Sequence, residues 1–327
     1  MAGVVFPLRS ILGSFLIGAA AGLAAQAASA QTLTIHVDYA YYNPVSLVLK
    51  SNHWLEEAVG PDIKVEWVQS AGSNKALEFL NARSLDFGST AGAAALLGRA
   101  NGNPIKAIYV FSKPEWTALV TRADSPINSV ADLRGKRIAV TRGTDPHIFL
   151  LRALAGAGLT EHDVKIVPLQ HGDGRLALDH GDVDAWAGLD PFMAQAELES
   201  HDRLFFRNAD LNTYGVLNVR EGFLAEHPEI VRKVIGAYER GRLWSLAHKA
   251  ELAGIQAEAA KLSPDVAARQ LERTDLSNPA IDDGPRRSIA AAGTVLKASD
   301  IIPADTDTEK VLATLIDADF VPQAVAR

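Results

Sequence analysis

Residues 137–157 read RIAVTRGTDPHIFLLRALAGA, and this stretch decides the fold. Residues 137–141 are rich in apolar and β-branched side chains, which predicts a short buried strand. Asp145 followed by Pro146 is a typical helix start, with Asp145 as the N-cap and Pro146 in the first helical position. The apolar residues of 148–157 recur at a spacing of three and four, which predicts a helix. A strand that passes so quickly into a helix indicates an α/β sheet with parallel strands.

The same alternation of strand and helix continues along most of the chain. Beyond residue 228 the pattern predicts helices only. The predicted strands are 32–38, 63–69, 85–88, 105–111, 117–121, 137–141, 164–169, 183–188, 204–207 and 215–219. The predicted helices include 74–81, 91–98, 148–157 and 175–180, followed by 229–248, 250–261, 264–272, 286–297 and 308–317.

Two extended segments, 116–122 and 214–220, are predicted to cross between two lobes. One lobe is then discontinuous and consists of 31–115 and 220–327, whereas the other is 116–219 with the hinge strands. Two crossings form a hinge, and two lobes on a hinge enclose a cleft. The predicted fold class is therefore α/β with two lobes, each a mostly parallel sheet flanked by helices.

Composition excludes several classes of protein. The chain has 327 residues, of which 48% are hydrophobic and 22% are charged, with a formal net charge of −7 and no cysteine. This length and balance favour a folded chain with a substantial core over a disordered one. An acidic chain lacks the basic surface that a nucleic-acid-binding protein needs. Without cysteine there is no disulfide, thiol nucleophile or lipid-modified cysteine.

The first thirty residues have the pattern of a secretory signal peptide. Arg9 is their only charged side chain, an apolar run follows at 11–25, and the small residues Ala28 and Ala30 suit a signal peptidase. We expect cleavage before Gln31 and export by the general secretory route. The alternative is a membrane anchor, but this apolar run is shorter than a span of about 20 residues. The protein is then expected in the periplasm, free of lipid.

Several predicted strands pass into helices through residues that suit an anion. In parallel α/β sheets, ligands bind at the carboxyl ends of the strands, next to the starts of the following helices. Backbone amides at a helix start are unpaired, and the helix dipole adds about half a positive charge there. The candidate ligand residues at these junctions are Asn43, Ser89, Thr90, Gly143, Thr144, Asp145 and Asp190.

This anion site depends on amides that the protein's own carboxylates leave free. His147, in the first predicted helical turn, is a further candidate because its ring can donate to an anion, although it could equally be a surface histidine. The aromatic candidates for the pocket wall stand at junctions rather than inside elements, and they are Tyr41, Tyr42, Trp116 and Tyr214. Trp186, inside a predicted strand, is instead expected in the core.

Enzymatic alternatives have weaker support in the sequence. GSTAG (88–92) resembles a nucleophile elbow with Thr90 in the place of the nucleophile, which would make the protein a secreted hydrolase. GDGRLA (172–177) fits the dinucleotide fingerprint only formally, because no acidic residue follows at the required place. Metal-binding motifs of the HExxH type and phosphate-binding loops are absent from the sequence. We therefore expect neither a cofactor nor a metal.

These junctions resemble a known family. Taken in order, the blocks resemble the periplasmic substrate-binding proteins of ABC importers, in the branch for aliphatic sulfonates and taurine that is related to the nitrate binders. The blocks that carry the resemblance are LDFGST (85–90), VADLRGKRIAV (130–140), GT (143–144) with His147 and LL (150–151), GDVDAW (181–186) and AGLDPF (187–192).

The resemblance implies the type II fold of the periplasmic binding proteins, with two lobes that close over a ligand. It implies that the loop at Ser89 and Thr90 and the loop at 143–147 donate hydrogen bonds to a sulfonate, with Asp190 lining the cleft. The partners are then a small anionic organosulfonate and a membrane permease–ATPase complex, and a monomer is expected. The family usually has an aromatic residue and a tyrosine where this chain has Leu189 and Phe192.

The prediction from the sequence is a binding protein for an aliphatic sulfonate, and not an enzyme. Nitrate and a neutral heterocycle such as a pyrimidine remain alternative ligands, and a hydrolase that uses Thr90 remains the alternative of another class. Because a sulfonate stays ionised, we expect its affinity to fall with rising pH only through His147 losing a proton.

Overall fold

The computed structural model of the protein describes residues 32–320, so the predicted signal peptide and its cleavage site lie outside the described residues. The strands are β1 (Leu33–Tyr39), β2 (Ile63–Gln69), β3 (Phe87–Ala91), β4 (Ile105–Pro114), β5 (Leu119–Thr121), β6 (Arg137–Val140), β7 (Lys165–Pro168), β8 (Ala185–Ala187), β9 (Arg203–Phe206), β10 (Gly215–Arg220) and β11 (Thr274–Asp275).

The helices cover both sheets and fill the last third of the described chain. They are α1 (Pro44–Ser51), α2 (Trp54–Val59), α3 (Ser73–Asn81), α4 (Gly92–Ala100), α5 (Asp145–Gly156), α6 (His171–Asp179), α7 (Phe192–Leu198), α8 (Glu221–Glu226), α9 (Pro228–Ala247), α10 (Lys249–Ala260), α11 (Pro264–Glu272), α12 (Asp283–Ala298) and α13 (Thr308–Leu315).

The strands form two sheets, as the alternation in the sequence predicts. The first sheet has the order β11-β4-β10-β3-β1-β2, and the second has the order β7-β6-β8-β5-β9. In the first sheet β10 lies antiparallel between β3 and β4, and in the second β5 lies antiparallel between β8 and β9. The neighbouring strands β1, β2 and β3, and likewise β6, β7 and β8, run parallel. Two mostly parallel sheets flanked by helices are thereby confirmed.

The chain passes from the first sheet to the second between β4 and β5, at residues 115–118, and returns between β9 and β10, at residues 207–214. Both predicted crossing segments begin in or next to these connections. The residues of 215–220 already pair in the first sheet, however, because β10 bonds to β3 and β4. The exact lobe boundaries stay a prediction.

Each predicted strand is present, with ends that differ by a few residues. Two short helices, α2 and α8, were not predicted, because six residues are too few for an apolar period of 3.6 to show. The two-residue strand β11 was also missed. Trp186 is fully buried in β8, as its position inside a strand predicts.

Each sheet packs its own apolar core. Around the first sheet, Phe87, Tyr109 and Tyr238 are fully buried, and Trp116 and Leu189 extend this core from the crossing and from the second sheet's side. Two further apolar clusters lie around the second sheet. The two cores hold the two sheets rigid, so that the polar strand ends between them have defined positions.

Candidate functional site

The parallel strands of the two sheets end at residues that the sequence selected as a binding site. In the first sheet β1 ends at Tyr39, β2 at Gln69 and β3 at Ala91, and each is followed closely by a helix. In the second sheet β6 leads into α5, β7 into α6, and β8 towards α7. The carboxyl ends of such strands are where α/β proteins bind ligands, and here they meet between the two sheets.

Ser89 and Thr90 do not form the expected loop. Both lie inside β3, fully buried, where Ser89 pairs with Leu217 and Thr90 with Val216 of β10. The run of small residues in 88–92 suits a loop, but it also suits a central strand in which neighbouring backbones approach closely. The expected loop at this position is therefore wrong.

The donors of Ser89 are already used by the protein. Its backbone N–H donates to the carboxylate of Asp38 at 2.9 Å, and its hydroxyl donates to Asp38 Oδ1 at 2.8 Å. Burial raises the pKa of Asp38 to about 6, although the hydrogen bonds from Ser89 offset part of the rise. The expectation that Ser89 holds an external anion is wrong for this structure, because a carboxylate of the chain occupies that place.

The amides at the start of α4 are also bonded within the protein. Ala91 N donates to Ser73 Oγ at 3.0 Å, Gly92 N to the Tyr214 carbonyl at 2.8 Å, and Ala93 N to Thr213 Oγ1 at 3.2 Å. A helix start whose amides are already paired has no donor left for a ligand. This junction therefore holds the lobe together rather than an anion.

Tyr42, Asn43 and Trp116 come together beside Ser89. Asn43 caps α1 by accepting from Ser46 N at 3.2 Å, and its Nδ2 donates to Ser89 Oγ at 2.8 Å. The Tyr42 hydroxyl donates to the Ser89 carbonyl at 2.8 Å, and the Tyr42 ring meets the edge of the Trp116 ring at 5.9 Å between centroids. These candidates form one buried polar and aromatic group.

Tyr41 and Tyr214 are not part of that group. The Tyr41 carbonyl accepts from the side chains of Gln256 and Gln270 at 2.9 and 2.6 Å, which ties the backbone before α1 to α10 and α11. The Tyr214 ring lies under the ammonium group of Lys113 at 5.8 Å. The structure thus gives both tyrosines contacts that hold the first lobe together.

Asp145 does not cap its helix. The N-cap residue of α5 is Thr144, and Asp145 is the first helical residue. The Asp145 carboxylate accepts from Trp116 Nε1 at 2.8 Å, from Thr213 N at 2.8 Å and from Thr213 Oγ1 at 2.7 Å. Trp116 and Thr213 lie in the two crossings, so that one buried carboxylate ties both crossings to α5. Burial raises the pKa of Asp145.

Gly143 and Thr144 have local structural roles. Gly143 has a φ of 75°, in the left-handed region that favours glycine, and it turns the chain from β6 towards α5. The Thr144 hydroxyl donates to the Thr141 carbonyl at 2.6 Å. The chain therefore passes from strand to helix at this place as predicted, whereas an anion contact by these two residues stays a prediction.

His147 is buried in α5 and does not carry a charge at neutral pH. Burial lowers its pKa to about 4, although the nearby Glu161, 3.9 Å from Nε2, works in the opposite direction. An anion that depends on a protonated His147 would therefore have to supply, at neutral pH, the free energy that protonating this buried ring costs. The expected charge-bearing role of His147 is therefore wrong.

We expect His147 to cause no change in ligand affinity between pH 5 and pH 8, because its imidazole is neutral throughout. Calorimetric titration with an alkanesulfonate over this range, on the natural chain and on His147→Gln, checks this. Asp38 and Asp190 titrate near this range, so the comparison between the two proteins isolates His147. A fall in affinity with rising pH that His147→Gln removes would contradict the expectation.

Asp190 lies where the two lobes meet. Its carboxylate accepts from Ala194 N, in the first turn of α7, at 2.9 Å, and Arg273, at the end of α11, approaches the same carboxylate at 3.4 Å. Burial raises the pKa of Asp190 to about 7, and Arg273 offsets part of the rise. Arg273 also pairs with Glu197 of α7, as Arg269 does at 2.8 Å. These pairs connect a helix of the first lobe to a helix of the second.

A second group of polar side chains follows β2 and β7 and was missed by the sequence reasoning. Ser70 and Asn74 stand at the start of α3, and Gln170 and His171 at the start of α6. Among residues 32–320, these four side chains have one atom each that is buried and makes no hydrogen bond: Ser70 Oγ, Asn74 Oδ1, Gln170 Oε1 and His171 Nε2. The signal in the sequence that could have identified these residues is their position directly after predicted parallel strands.

The starts of α3 and α6 lie against each other where the two lobes meet. A Cβ placed on Gly72, the N-cap residue of α3, would lie 2.9 Å from His171 Nε2. β2 and β7 are the edge strands farthest from the crossing strands of their sheets. These two helix starts therefore meet at the mouth of the cleft, away from the hinge.

Neither a metal site nor a membrane span is found in the part of the chain that the structure describes. No group of three or more His, Asp or Glu residues within 32–320 is arranged to hold a metal ion. None of the helices in this range is both long and apolar enough to cross a bilayer.

Two α/β lobes joined by two crossings, with polar strand ends facing each other, define the class of the periplasmic binding proteins. Of the solved structures, the alkanesulfonate-binding protein SsuA from Xanthomonas axonopodis pv. citri shares this fold with a TM-score of 0.79 and 24% identity, over 88% of this chain and 99% of that one. The periplasmic aliphatic sulphonate binding protein SsuA from Escherichia coli gives a TM-score of 0.73 and 25% identity, over 85% of this chain and 91% of that one.

The chain belongs to the NMT1/THI5-like family, whose model matches residues 54–252. A curated relative named as an aliphatic sulfonates-binding protein of Escherichia coli K12 is 34% identical over 215 residues. This match covers 65% of this chain and 65% of the relative, which is just under two thirds of its length.

Proposed function

We propose that the protein is the solute-binding component of an ABC importer and holds a small aliphatic sulfonate between its two lobes. The observation that carries this proposal is the similarity of the two-lobed fold and of the sequence to proteins named for sulfonate binding. Nitrate and a heterocyclic nutrient are the alternative ligands of the same kind of site.

The sulfonate is held, in this proposal, by the starts of α3 and α6. Both helices have nine residues, and their first amides have no partner within the helix. Two helix dipoles then point their positive ends at one anion from opposite lobes. The buried and unpaired His171 Nε2 supports a ligand at this place, because buried polar atoms in folded proteins are nearly always paired.

The lobes are proposed to be 31–115 with 220–327, and 116–219. They would open and close about the two crossings, which is a hinge motion of a kind common among ligand-binding proteins. The pairs that Arg273 and Arg269 make with Glu197 hold the lobes against each other in this structure. We infer that the structure represents the closed arrangement.

The proposal places the protein in the periplasm, exported through a cleavable signal peptide, as a monomer that delivers its solute to a membrane permease and ATPase. It binds without catalysis. In support, within the described chain Thr90 Oγ1 accepts a hydrogen bond from Asn218 Nδ2 at 2.8 Å. A nucleophile instead needs a base that takes its proton.

A thermal-shift screen of the purified protein tests the proposed ligand class. A ligand that binds only the folded state stabilises it by about 4 kcal/mol at a thousand times its Kd. We expect short alkanesulfonates to raise the melting temperature, with sulfate, nitrate and a pyrimidine as comparisons. If nitrate or the pyrimidine raises it and no sulfonate does, the sulfonate proposal is wrong.

A further inference from the structure

Besides the mouth at α3 and α6, the lobes touch on two flanks that differ in chemistry. On the first, called here the polar flank, α11 of the first lobe meets α7 of the second through ion pairs. On the second, called here the apolar flank, α4 and α12 of the first lobe meet α5 of the second through apolar side chains. The chemistry of each flank determines how readily it can separate.

The polar flank consists of two arginines and two carboxylates. Arg269 and Arg273 stand one turn apart at the end of α11, and both pair with Glu197 of α7, Arg269 at 2.8 Å. Arg273 also approaches the carboxylate of Asp190, just before α7, at 3.4 Å. When such pairs separate, water solvates the charged groups, so that parting them costs little free energy. This flank can therefore open.

The side chains of the apolar flank form one buried cluster. Ile148 of α5 is fully buried in it together with Ala93 and Leu97 of α4 and Leu296 of α12. Separating these helices would expose apolar side chains to water, and water offers no contact that compensates for the loss. This flank therefore favours staying together.

The hydrogen bonds of Thr213 fasten the same apolar flank. Thr213 Oγ1 donates to Asp145 Oδ1 of α5 at 2.7 Å and accepts from Ala93 N of α4 at 3.2 Å. A residue of the second crossing thus links a helix of each lobe. Opening the apolar flank would also break these buried hydrogen bonds, which adds to its cost.

Within the second lobe, α6 packs on α7. A Cβ placed on Gly172, in the first turn of α6, would lie 3.5 Å from the ring of Phe192 at the start of α7. Because the two helices are in contact at their starts, they are expected to move together. The mouth between α3 and α6 and the polar flank between α7 and α11 therefore open and close in one motion.

We propose that the lobes open by swinging apart at the polar flank, with α5 held on α4 and α12 as the pivot, and that the pairs of Glu197 with Arg269 and Arg273 are a latch for the closed arrangement. This inference rests on the proposed function, because it describes how the proposed solute enters. The three latch residues are positioning residues, which act on closure without touching the solute. A solute held by the closed arrangement loses apparent affinity as that arrangement becomes less populated.

Distances between pairs of spin labels test the pivot. Because the chain has no cysteine, two introduced cysteines can be labelled selectively. Asn81→Cys with His180→Cys reports on α3 and α6, and Ala155→Cys with Thr294→Cys reports on α5 and α12, all at exposed positions. For the first pair we expect a long and a short distance without solute, and only the short one with excess ethanesulfonate. The second pair should give one distance that does not change.

Two variants test the latch. Glu197→Gln and Arg269→Gln are each expected to increase the share of the long distance in the first label pair without solute. They should also weaken binding of ethanesulfonate by about three- to tenfold in calorimetric titration. Glu199→Gln, exposed at the end of α7, and Arg240→Gln, which pairs with Glu57 inside the first lobe, are matched controls. They remove the same charges and should change neither measurement.

The outcomes separate this inference from the function on which it rests. If ethanesulfonate changes both label distances equally, the pivot is wrong, and if neither latch variant increases the long distance, the latch is wrong. If the latch variants open the mouth but the protein binds no sulfonate, the inference stands and the proposed ligand is wrong. If a sulfonate binds and neither label pair responds to it or to the variants, the proposed function stands and the inference is overturned.

Discussion

Gly72→Val is expected to weaken binding of a short alkanesulfonate by about 5- to 150-fold while leaving the fold intact. The added Cβ would lie 2.9 Å from His171 Nε2 and 2.8 Å from Asn74 Oδ1, closer than side chains approach each other. Forcing a larger side chain into such a packed contact costs about 1–3 kcal/mol. His171 belongs to the other lobe, so the clash arises only when the lobes close. The substitution therefore destabilises the closed, ligand-bound state relative to the open state.

The backbone at Gly72 does not resist the change. Its φ of 160° and ψ of 166° are extended, and a β-branched residue adopts such angles without strain. We therefore expect the free energy of unfolding to change by less than about 1 kcal/mol, because the open arrangement accommodates the side chain.

Gly254→Val is the matched control, because a Cβ on Gly254 of α10 would meet nothing within 4 Å. Its affinity should equal that of the natural chain in calorimetric titration, and chemical denaturation gives the stability of both variants. Unchanged affinity in Gly72→Val would mean that the bound protein does not bring Gly72 and His171 together, which would contradict the proposed closed arrangement.

Asp145→Ala is expected to lower the free energy of unfolding by about 2–4 kcal/mol. The substitution leaves the buried Trp116 Nε1 and Thr213 N without their acceptor, and each unpaired buried donor costs about 1–3 kcal/mol. Both donors lie in the crossings, so the substitution removes hydrogen bonds that stabilise the hinge. Urea denaturation measures it. Asp173→Ala, in the first turn of α6 but exposed, is the control and should cost less than about 1 kcal/mol.

The loss in Asp145→Ala is expected to depend on pH. Because burial raises the pKa of Asp145 above 3.8, the folded chain binds the proton of this carboxyl more tightly than the unfolded chain does. Its contribution to stability is therefore largest at low pH and decreases as the pH rises from about 4 through the raised pKa. A loss that instead grows with rising pH would contradict the assigned burial of this group.

The sheets were predictable from the sequence because they depend on local patterns. Strands such as β2 have a run of alternating or continuous apolar residues. A few neighbouring residues are likewise enough to indicate the turn at Gly143 and the start of α1 after Asn43. The two-residue β11 was beyond such a pattern, since it exists only through its pairing with the end of β4.

The site was harder to predict because its occupancy depends on distant residues. Strand ends that share one edge of a sheet can be recognised from order alone, and this predicted that Ser89 and Tyr42 lie close together, as they do. Asp38 accepts a hydrogen bond from the Ser89 amide, although the two residues are 51 positions apart in the sequence. No local pattern encodes such a contact. Likewise His147 and His171 both follow a strand end, and only their packing shows that the His171 ring borders Gly72, whereas the His147 ring lies beside Glu161.

The position of β10 has a consequence for the order in which the protein can acquire its structure. All five strands of the second sheet come from residues 119–206, whereas the centre of the first sheet needs β10, more than 120 residues after β3 in the chain. Closing a long loop costs more entropy than closing a short one, and distant pairings form slowly. The second sheet can therefore assemble from a contiguous piece of chain, and the first sheet has to wait for its missing central strand.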